Sequence, residues 1–458
     1  MPRSLLPIAA LPLMLTACGS IDRATHVATG FVSHQLCSAT FVTGVDPETF
    51  YREALAPTMG PANFLLGYTV DRDKAEVTAT FAGLSESRAA YRGPLGCIVL
   101  KDPALPAERI ALGEAAPSLL PDIAGSALVE PGNPALKAAF DRVFEEPGTP
   151  QRGTKAVVVV KGGKVIAERY APGYGIDSEI IGWSMTKSVT NALLGILVRQ
   201  GKISMQGPAP IAAWSDPNDP RHAITLDNLL RMNSGLDIGQ SLTASASDAF
   251  DPSAQMVFVE RDMAGFAEKA PLKFQPGSDW NYTNGNTLLL SRVIRDQTGG
   301  TVASTLAFAH RELFDKLGMR RVTLEFDATG TPIGSSHMLA SARDWARFGL
   351  LYLHDGVVGG ERLLPEGWVD YSAKYTPHSD EYGYAAGFWT NRGDSSGARY
   401  RVRHGMPADA FMARGAYGQY VVVVPSLDLV VVRMGMSFER RNDLDSVARL
   451  IADVAALK

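Results

Sequence analysis

The sequence predicts an α/β (α+β) protein: a central antiparallel sheet flanked by helices, a mostly helical subdomain, and a small β-rich domain at the N-terminus. Three observations carry this reading. Strand-type runs cluster over residues 155–170 and again over 411–434, close to the end of the chain. The long stretch between them reads as helices and loops. Before residue 130, short β-rich pieces alternate with Gly and Pro turns. Two groups of strands separated by helices suggest one sheet assembled from both ends of the domain.

The first segment is a separate message. Met1 to Cys18 reads MPRSLLPIAALPLMLTAC, with Arg3 ahead of an apolar run from Leu5 to Leu15 and small residues after it. That order is a secretory signal, and the run is too short to span a bilayer. Leu15-Thr16-Ala17-Cys18 resembles a bacterial lipobox, which implies cleavage before Cys18 and a lipid on its thiol. The expected place is therefore the bacterial cell envelope, with the chain held to the membrane by lipid and facing the periplasm or exterior. An ordinary signal peptide with a chance Cys is the alternative. The expected division is a leader over 1–17, a small N-terminal domain and linker over 18–130, and a main domain over 131–458.

With Cys18 set aside, two of the three cysteines remain, Cys37 and Cys97. An exported chain can close them into one structural disulfide, two separate buried thiols being the alternative. Ala39 to Thr43, Glu76 to Phe81 and Cys97 to Leu100 read as strands of the N-terminal domain. Residues 101–134, rich in Pro, Ala and Gly, read as a linker or wrapped arm.

In the main domain, Asn133 to Glu146 has the apolar spacing of an amphipathic helix, with Asn133 as N-cap and Pro134 at the first position. Lys155 to Val160 and Lys164 to Tyr170 form a hairpin around Lys161-Gly162-Gly163. Phe411 to Gly415, Gln419 to Val424 and Leu429 to Met434 are three further strands, and Asp443 to Leu457 is a closing amphipathic helix with Asn442 as cap.

Composition narrows the function. The chain has 458 residues, 46% hydrophobic and 20% charged, which is ordinary globular usage and excludes wholesale disorder and fibrous classes. Lys and Arg number 44 against 48 Asp and Glu, a net charge of −4 that offers no surface to a nucleic acid. No H-E-x-x-H, CxxC, G-x-G-x-x-G or Walker A sequence is present, so no metal or nucleotide cofactor is expected. Composition leaves the oligomeric state open.

Three short segments carry chemistry. In Gly182-Trp183-Ser184-Met185-Thr186-Lys187, Ser184 and Lys187 stand three residues apart at the start of a helix, so their side chains can meet. A Lys whose pKa is depressed can take the serine proton. In Pro276-Gly277-Ser278-Asp279-Trp280-Asn281-Tyr282-Thr283-Asn284-Gly285, a turn presents Tyr282 and Asn284. A phenol beside a cationic Lys is expected to have a lowered pKa and to shuttle protons. In Ala413-Arg414-Gly415-Ala416-Tyr417-Gly418-Gln419, Gly415 would let a substrate approach a strand, and the next N–H could serve an oxyanion hole. Taken singly, each has a plain structural reading: a capped helix face, a packed aromatic, a strand end.

In order, Ser-x-x-Lys, Tyr-x-Asn and a Gly-bearing C-terminal strand resemble the serine β-lactamase and penicillin-binding-protein superfamily. Ile224-Thr225-Leu226-Asp227-Asn228-Leu229-Leu230-Arg231-Met232-Asn233-Ser234-Gly235-Leu236 resembles the helix and loop between its first two motifs. The likeness covers roughly residues 130–458 and is nearest to class C enzymes, family VIII carboxylesterases and 6-aminohexanoate-dimer hydrolases. It implies that Ser184 is acylated, Lys187 is its proton partner, Tyr282 is general base and acid, and Asn284 orients Lys187 and substrate. It also implies an oxyanion hole from the N–H groups of Ser184 and Ala416, and no cofactor or metal.

One departure matters. The superfamily's third motif is usually Lys-Thr-Gly, and Ala413-Arg414-Gly415 stands in its place. Arg414 takes the strand face opposite Ala413 and Gly415, and grips a substrate carboxylate only if it points inward. The expected function is therefore hydrolysis of a small ester or amide, with Arg414, Gly415 and Tyr417 at the substrate. The alternatives are a β-lactamase or D-amino peptidase, and a lipid-anchored sensor that turns over nothing. Trp183, Trp280 and Trp389 line the cleft or pack in the core. Tyr174 and Tyr417 have the same two readings, and His404 reads as an ordinary loop histidine, with a place at the cleft mouth as the alternative.

Overall fold

A computed structural model describes residues 10–101, 110, 113–146, 148, 151–242, 246–438 and 442–457, with the side chains of 10–18, 246, 247 and 442 left out. The start of the leader and the Cys18 side chain, with its expected lipid, lie outside the described residues. Among those described, no helix is long and apolar enough to cross a membrane.

The described residues begin with helix α1 (Ala10–Cys37). A four-stranded antiparallel meander follows: β1 (Leu66–Asp71), β2 (Glu76–Phe81), β3 (Ser85–Tyr91) and β4 (Cys97–Val99). Its tight turn at 71–74 is closed by Asp71, whose carboxylate accepts the N–H groups of Asp73 and Lys74. The inner face of the meander carries Val77, Ala79 and Ala89, which pack with Ala28, Val32 and Leu36 of α1. A disulfide joins Cys37, at the end of that helix, to Cys97, at the start of β4, with the Cα atoms 6.1 Å apart.

The strand expected over Ala39 to Thr43 is not there. Ser38–Thr43 continues α1 as a wider helical turn, which ends where Gly44 enters the left-handed region at φ 81°. The residues 113–132 form no regular element and lie along the body as an arm. Val165 and Glu168 donate backbone N–H groups to the carbonyls of Ile123 and Val129, and Leu120 and Ile123 are buried.

Helix α2 (Pro134–Phe144) starts as the sequence predicts: Asn133 Oδ1 accepts the Leu136 N–H at 2.8 Å, with Pro134 at the first position. Strands β5 (Thr154–Lys161) and β6 (Lys164–Tyr170) form the hairpin. The short strand β7 (Ile180–Ile181) leads into helix α3 (Thr186–Arg199), followed by α4 (Leu226–Leu230), α5 (Pro252–Phe258) and α6 (Asn284–Gln297). Strands β8 (Val322–Leu324) and β9 (Met338–Ala340) join β7 in a small sheet of order β7-β9-β8. Helix α7 (Ala342–Leu353) comes next, then β10 (Trp389–Thr390), β11 (Phe411–Gly415), β12 (Gln419–Val424), β13 (Leu429–Gly435) and helix α8 (Asn442–Ala455). Asn442, expected as the cap of this last helix, is its first residue.

The main sheet runs β10-β11-β12-β13-β5-β6, antiparallel throughout, so strands from both ends of the domain meet at the β13–β5 pair. Both faces are covered, which is why these strands read as nearly unbroken valine. Period two then divides them. Val158, Val160, Val421, Val423, Val430 and Val432 face the core that holds α3 and α7. Val157, Val159, Val422, Val424 and Val431 face the core under α2 and α8. The candidate site lies where the first of these cores meets the free ends of β11 and α3.

Candidate active site

Ser184 sits in a single 3-10 turn, Trp183–Met185, between β7 and α3. Close packing leaves no room at either side of that turn. A Cβ on Gly182 would lie 2.4 Å from the Trp345 ring, and Trp183 itself is turned to φ 48°. A left-handed bulky residue beside the serine is stored strain that the surrounding structure must hold. Thr186 helps to hold it, donating its hydroxyl to the Trp183 carbonyl at 2.7 Å.

Lys187, one turn along, is 1% exposed. Its Nζ lies 2.7 Å from Asn284 Oδ1, 2.8 Å from the Ser335 carbonyl and 3.2 Å from Ser184 Oγ. Burial without an ionic partner penalises the ammonium and brings its pKa down to about 7. Asn284 opens α6, where its N–H donates to Ser241 Oγ at 3.1 Å.

Tyr282 is also buried. Its ring packs against Trp280, Tyr384 and Trp389, with centroids 6.1, 5.4 and 5.5 Å away, and Lys187 Nζ lies 4.9 Å from the ring centroid. The phenol is hydrogen-bonded to Ser184. Burial pushes its pKa up, against the opposing effects of that bond and of the Arg414 charge. The lowered value expected for Tyr282 is therefore reversed, because desolvation of the phenolate outweighs the nearby cations. The 224–236 segment supports this loop from beneath. Thr225 and Asn228 cap each other at the start of α4, and Met232 and Asn233 accept the N–H groups of Asn281 and Gly277.

Strand β11 supplies the far wall. Ala413 faces the core, as alternation requires, and Arg414 takes the other face. The Arg414 guanidinium lies over Trp389 and Tyr420, at 5.7 and 5.6 Å, and borders the same cavity as Ser184 and Tyr282. Gly415 borders the larger cavity, and packing gives it a second reason beside the one expected. A Cβ there would lie 2.1 Å from the Gly182 carbonyl oxygen, so the strand needs Gly to approach the serine turn. Ala416 and Tyr417 follow directly, and both border the two cavities that meet at Ser184.

The smaller cavity, of about 150 Å³, is bordered by Asn284, Trp183 and part of α1. The larger, of about 680 Å³, is bordered by Tyr282, Arg414 and Trp389. Trp280 is half-buried behind Tyr282, and Tyr174 belongs to a separate surface hollow. His404 is exposed and stacks on Tyr400 at 4.1 Å, bordering neither cavity.

Sequence reasoning missed three contributors. Ser241 borders both cavities and holds Asn284; the Ser335 carbonyl binds Lys187; and α1 brings Phe31 to the site. Nothing local marks them, since a serine in a loop and a carbonyl carry no motif. A fourth feature is a buried cluster of His34, Glu325 and His337, whose potential ligand atoms lie within 4.8 Å of one another. His34 Nε2 is 2.7 Å from Glu325 Oε2, while Glu325 Oε1 accepts the Cys97 N–H at 2.7 Å and the Ser38 hydroxyl at 3.3 Å. That carboxylate is thus satisfied by the N-terminal segment, which it ties to the main domain.

The geometry agrees with comparison to known proteins. A family model described as Beta-lactamase matches residues 140–456. The 6-aminohexanoate-dimer hydrolase of Paenarthrobacter ureafaciens is 25% identical over 359 residues, covering 74% of this chain and 82% of that protein. Among solved structures, a putative 6-aminohexanoate-dimer hydrolase from Bacillus anthracis superposes with a TM-score of 0.56 at 22% identity, covering 76% of this chain and 88% of the other. A penicillin-binding protein homolog from Caulobacter crescentus gives 0.54 at 16% identity, covering 70% and 96%. These two structures share the fold.

Proposed function

Because this chain belongs to the Beta-lactamase family, we propose that Ser184 is the nucleophile of a serine hydrolase that cleaves a small ester or amide through an acyl-enzyme. The observation that carries the reading is that Lys187, held by Asn284 Oδ1, and Tyr282 both reach one serine hydroxyl at the meeting point of two cavities. A binding module has no need of a buried, uncompensated lysine held against a serine.

In the proposed cycle, neutral Lys187 takes the proton from Ser184 Oγ as that oxygen attacks the substrate carbonyl carbon. The N–H groups of Ser184 and Ala416 receive the oxyanion. As the tetrahedral intermediate collapses, the bond to the leaving oxygen or nitrogen breaks and Tyr282 gives that atom a proton, which Lys187 replaces. Water, deprotonated by the same pair, then attacks the acyl-enzyme and releases a carboxylic acid and free Ser184. Tyr282 works as a proton donor in this scheme, since burial keeps it a phenol. Relatives named as a 6-aminohexanoate-dimer hydrolase and, on the fold alone, EstCE1, a hydrolase with promiscuous acyltransferase activity, support a small acyl substrate.

Arg414 favours a second reading. Its inward guanidinium could bind a carboxylate on the leaving side, as a β-lactam or a D-amino peptide would present. Parallel assays with neutral nitrophenyl esters, an amide series and a chromogenic cephalosporin separate the two. Turnover of the esters or amides with none of the cephalosporin supports the first; the reverse supports the second. No turnover of any, with intact folding, supports the silent sensor. The envelope location rests on the leader and Cys18, and metabolic labelling with a fatty acid, lost in Cys18→Ser, is its test.

A further inference from the structure

We infer that the smaller cavity is the acyl-binding pocket, that α1 builds one of its walls, and that it selects a neutral apolar acyl group of about six carbons. This inference rests on the serine hydrolase reading above and deepens it.

The assignment of the two cavities follows from the proton donor. Tyr282 borders the larger cavity and not the smaller, and it is the group that protonates the departing atom. The leaving group therefore occupies the larger cavity, and the acyl chain extends into the smaller one beside Asn284. That pocket is walled by Ala28, Phe31, Met59, Trp183, Val257 and Phe258. Five of these six come from α5, the serine turn or α1 itself, and α1 lies wholly outside residues 140–456, which match the family.

The wall from α1 is built in. Phe31 stacks on Trp183 at 6.1 Å and meets Phe258 edge-on at 5.6 Å. Gly30 touches α5 so closely that a Cβ there would lie 2.8 Å from the Phe258 carbonyl. One turn further, His34 is held by Glu325. Val27, Phe31 and His34 recur at i, i+4 and i+7, so one face of the helix is committed to the main domain.

Size and polarity set the ligand. A cavity of about 150 Å³ is the size that accepts benzene, or about six methylene-sized groups, and its lining is mostly apolar, with His337 and several serines at its edge. Asp251, which borders it, spends its carboxylate on the N–H groups of Ser253 and Gln240. Asp248 borders it too, so an acyl chain ending in an ammonium is the competing occupant.

The test uses the full chain with nitrophenyl acetate, butyrate, hexanoate, laurate and 6-aminohexanoate, together with Ala28→Phe and Phe31→Ala. The wild type should gain about fourfold in kcat/KM per methylene up to hexanoate and fall at laurate. Ala28→Phe should move the optimum toward acetate, and Phe31→Ala toward longer chains. A flat profile, faster turnover of 6-aminohexanoate than hexanoate, or an optimum that neither folded variant moves would overturn the inference. Mass spectrometry separates this from failure of the underlying reading. Acylated Ser184 with a flat profile removes only the pocket assignment, whereas no adduct with any ester or with a fluorophosphonate removes both.

Discussion

Lys187 holds Ser184 with the longest of its three hydrogen bonds. The contact to Ser184 Oγ is 3.2 Å, while those to Asn284 Oδ1 and the Ser335 carbonyl are 2.7 and 2.8 Å. The two short partners are oxygens that can only accept, so they take two N–H bonds whatever the charge on the amine. The third position is the one that changes. As an ammonium, Lys187 donates there; as a neutral amine, it presents a lone pair to the serine proton. Burial, which brings the pKa to about 7, makes both forms available near neutral pH.

The pH dependence follows with a definite sign. Below about pH 7 the lysine is protonated and cannot accept, so kcat/KM should rise with pH through an apparent pKa near 7. Lys187→Arg should lose on the order of a thousandfold or more at every pH, because a guanidinium does not deprotonate. A pH–rate profile of both proteins checks this.

Stability carries the same signature. Between about pH 7 and 10.5 an unfolded lysine keeps a proton that folded Lys187 has released. The unfolded state then binds more protons, and the fold gains stability as pH rises through that window. Lys187→Met should be inactive yet should show a flatter pH dependence in denaturant titrations over the same range.

Tyr282→Phe should discriminate by leaving group. A nitrophenolate departs without protonation, whereas an alkoxide or amine does not. The variant should lose about 100-fold or more on alkyl esters and amides, and roughly tenfold or less on nitrophenyl esters. Equal losses on both would place Tyr282 in the activation of Ser184 rather than in protonation of the leaving group.

Arg414→Gln tests the face of β11 that borders the larger cavity. KM should rise about 10-fold or more for substrates with a carboxylate on the leaving side and stay within about twofold for neutral ones. Steady-state kinetics on a matched acid and methyl ester pair reads this directly.

The disulfide between Cys37 and Cys97 closes a separation of 60 residues. Loop entropy for that length gives a stabilisation of about 4 kcal/mol, so reduction or Cys97→Ser should lower the denaturation midpoint of the N-terminal unit. Because the same unit walls the smaller cavity, reduction should also weaken hexanoyl selectivity before it abolishes turnover of acetate esters.

Much of this was legible in the sequence wherever the cause is local. The β5–β6 hairpin shows in its valines and in Gly162-Gly163, α2 in Asn133-Pro134, and the opposed faces of Ala413 and Arg414 in simple strand alternation. The features that escaped have distant causes. Thr40, Phe41, Val42 and Thr43 have strand-forming side chains, yet they extend α1, a helix whose face is fixed by the meander and the main domain. The rise in the Tyr282 pKa depends on Tyr384 and Trp389, about 100 residues further along the chain. The packing reason for Gly415 shows only when the Gly182 carbonyl, more than 200 positions earlier, is placed beside it. Phe31 carries no sign that it faces a serine more than 150 positions away.

The central claim is that Ser184 is an activated nucleophile. Intact mass after incubation with a fluorophosphonate, on the wild type and on Ser184→Ala, tests it most directly. A single phosphonyl adduct is expected on the wild type and none on the variant, forming faster at pH 8 than at pH 6. An adduct that persists in Ser184→Ala, or a folded wild type that reacts with neither this probe nor any small ester, would contradict it.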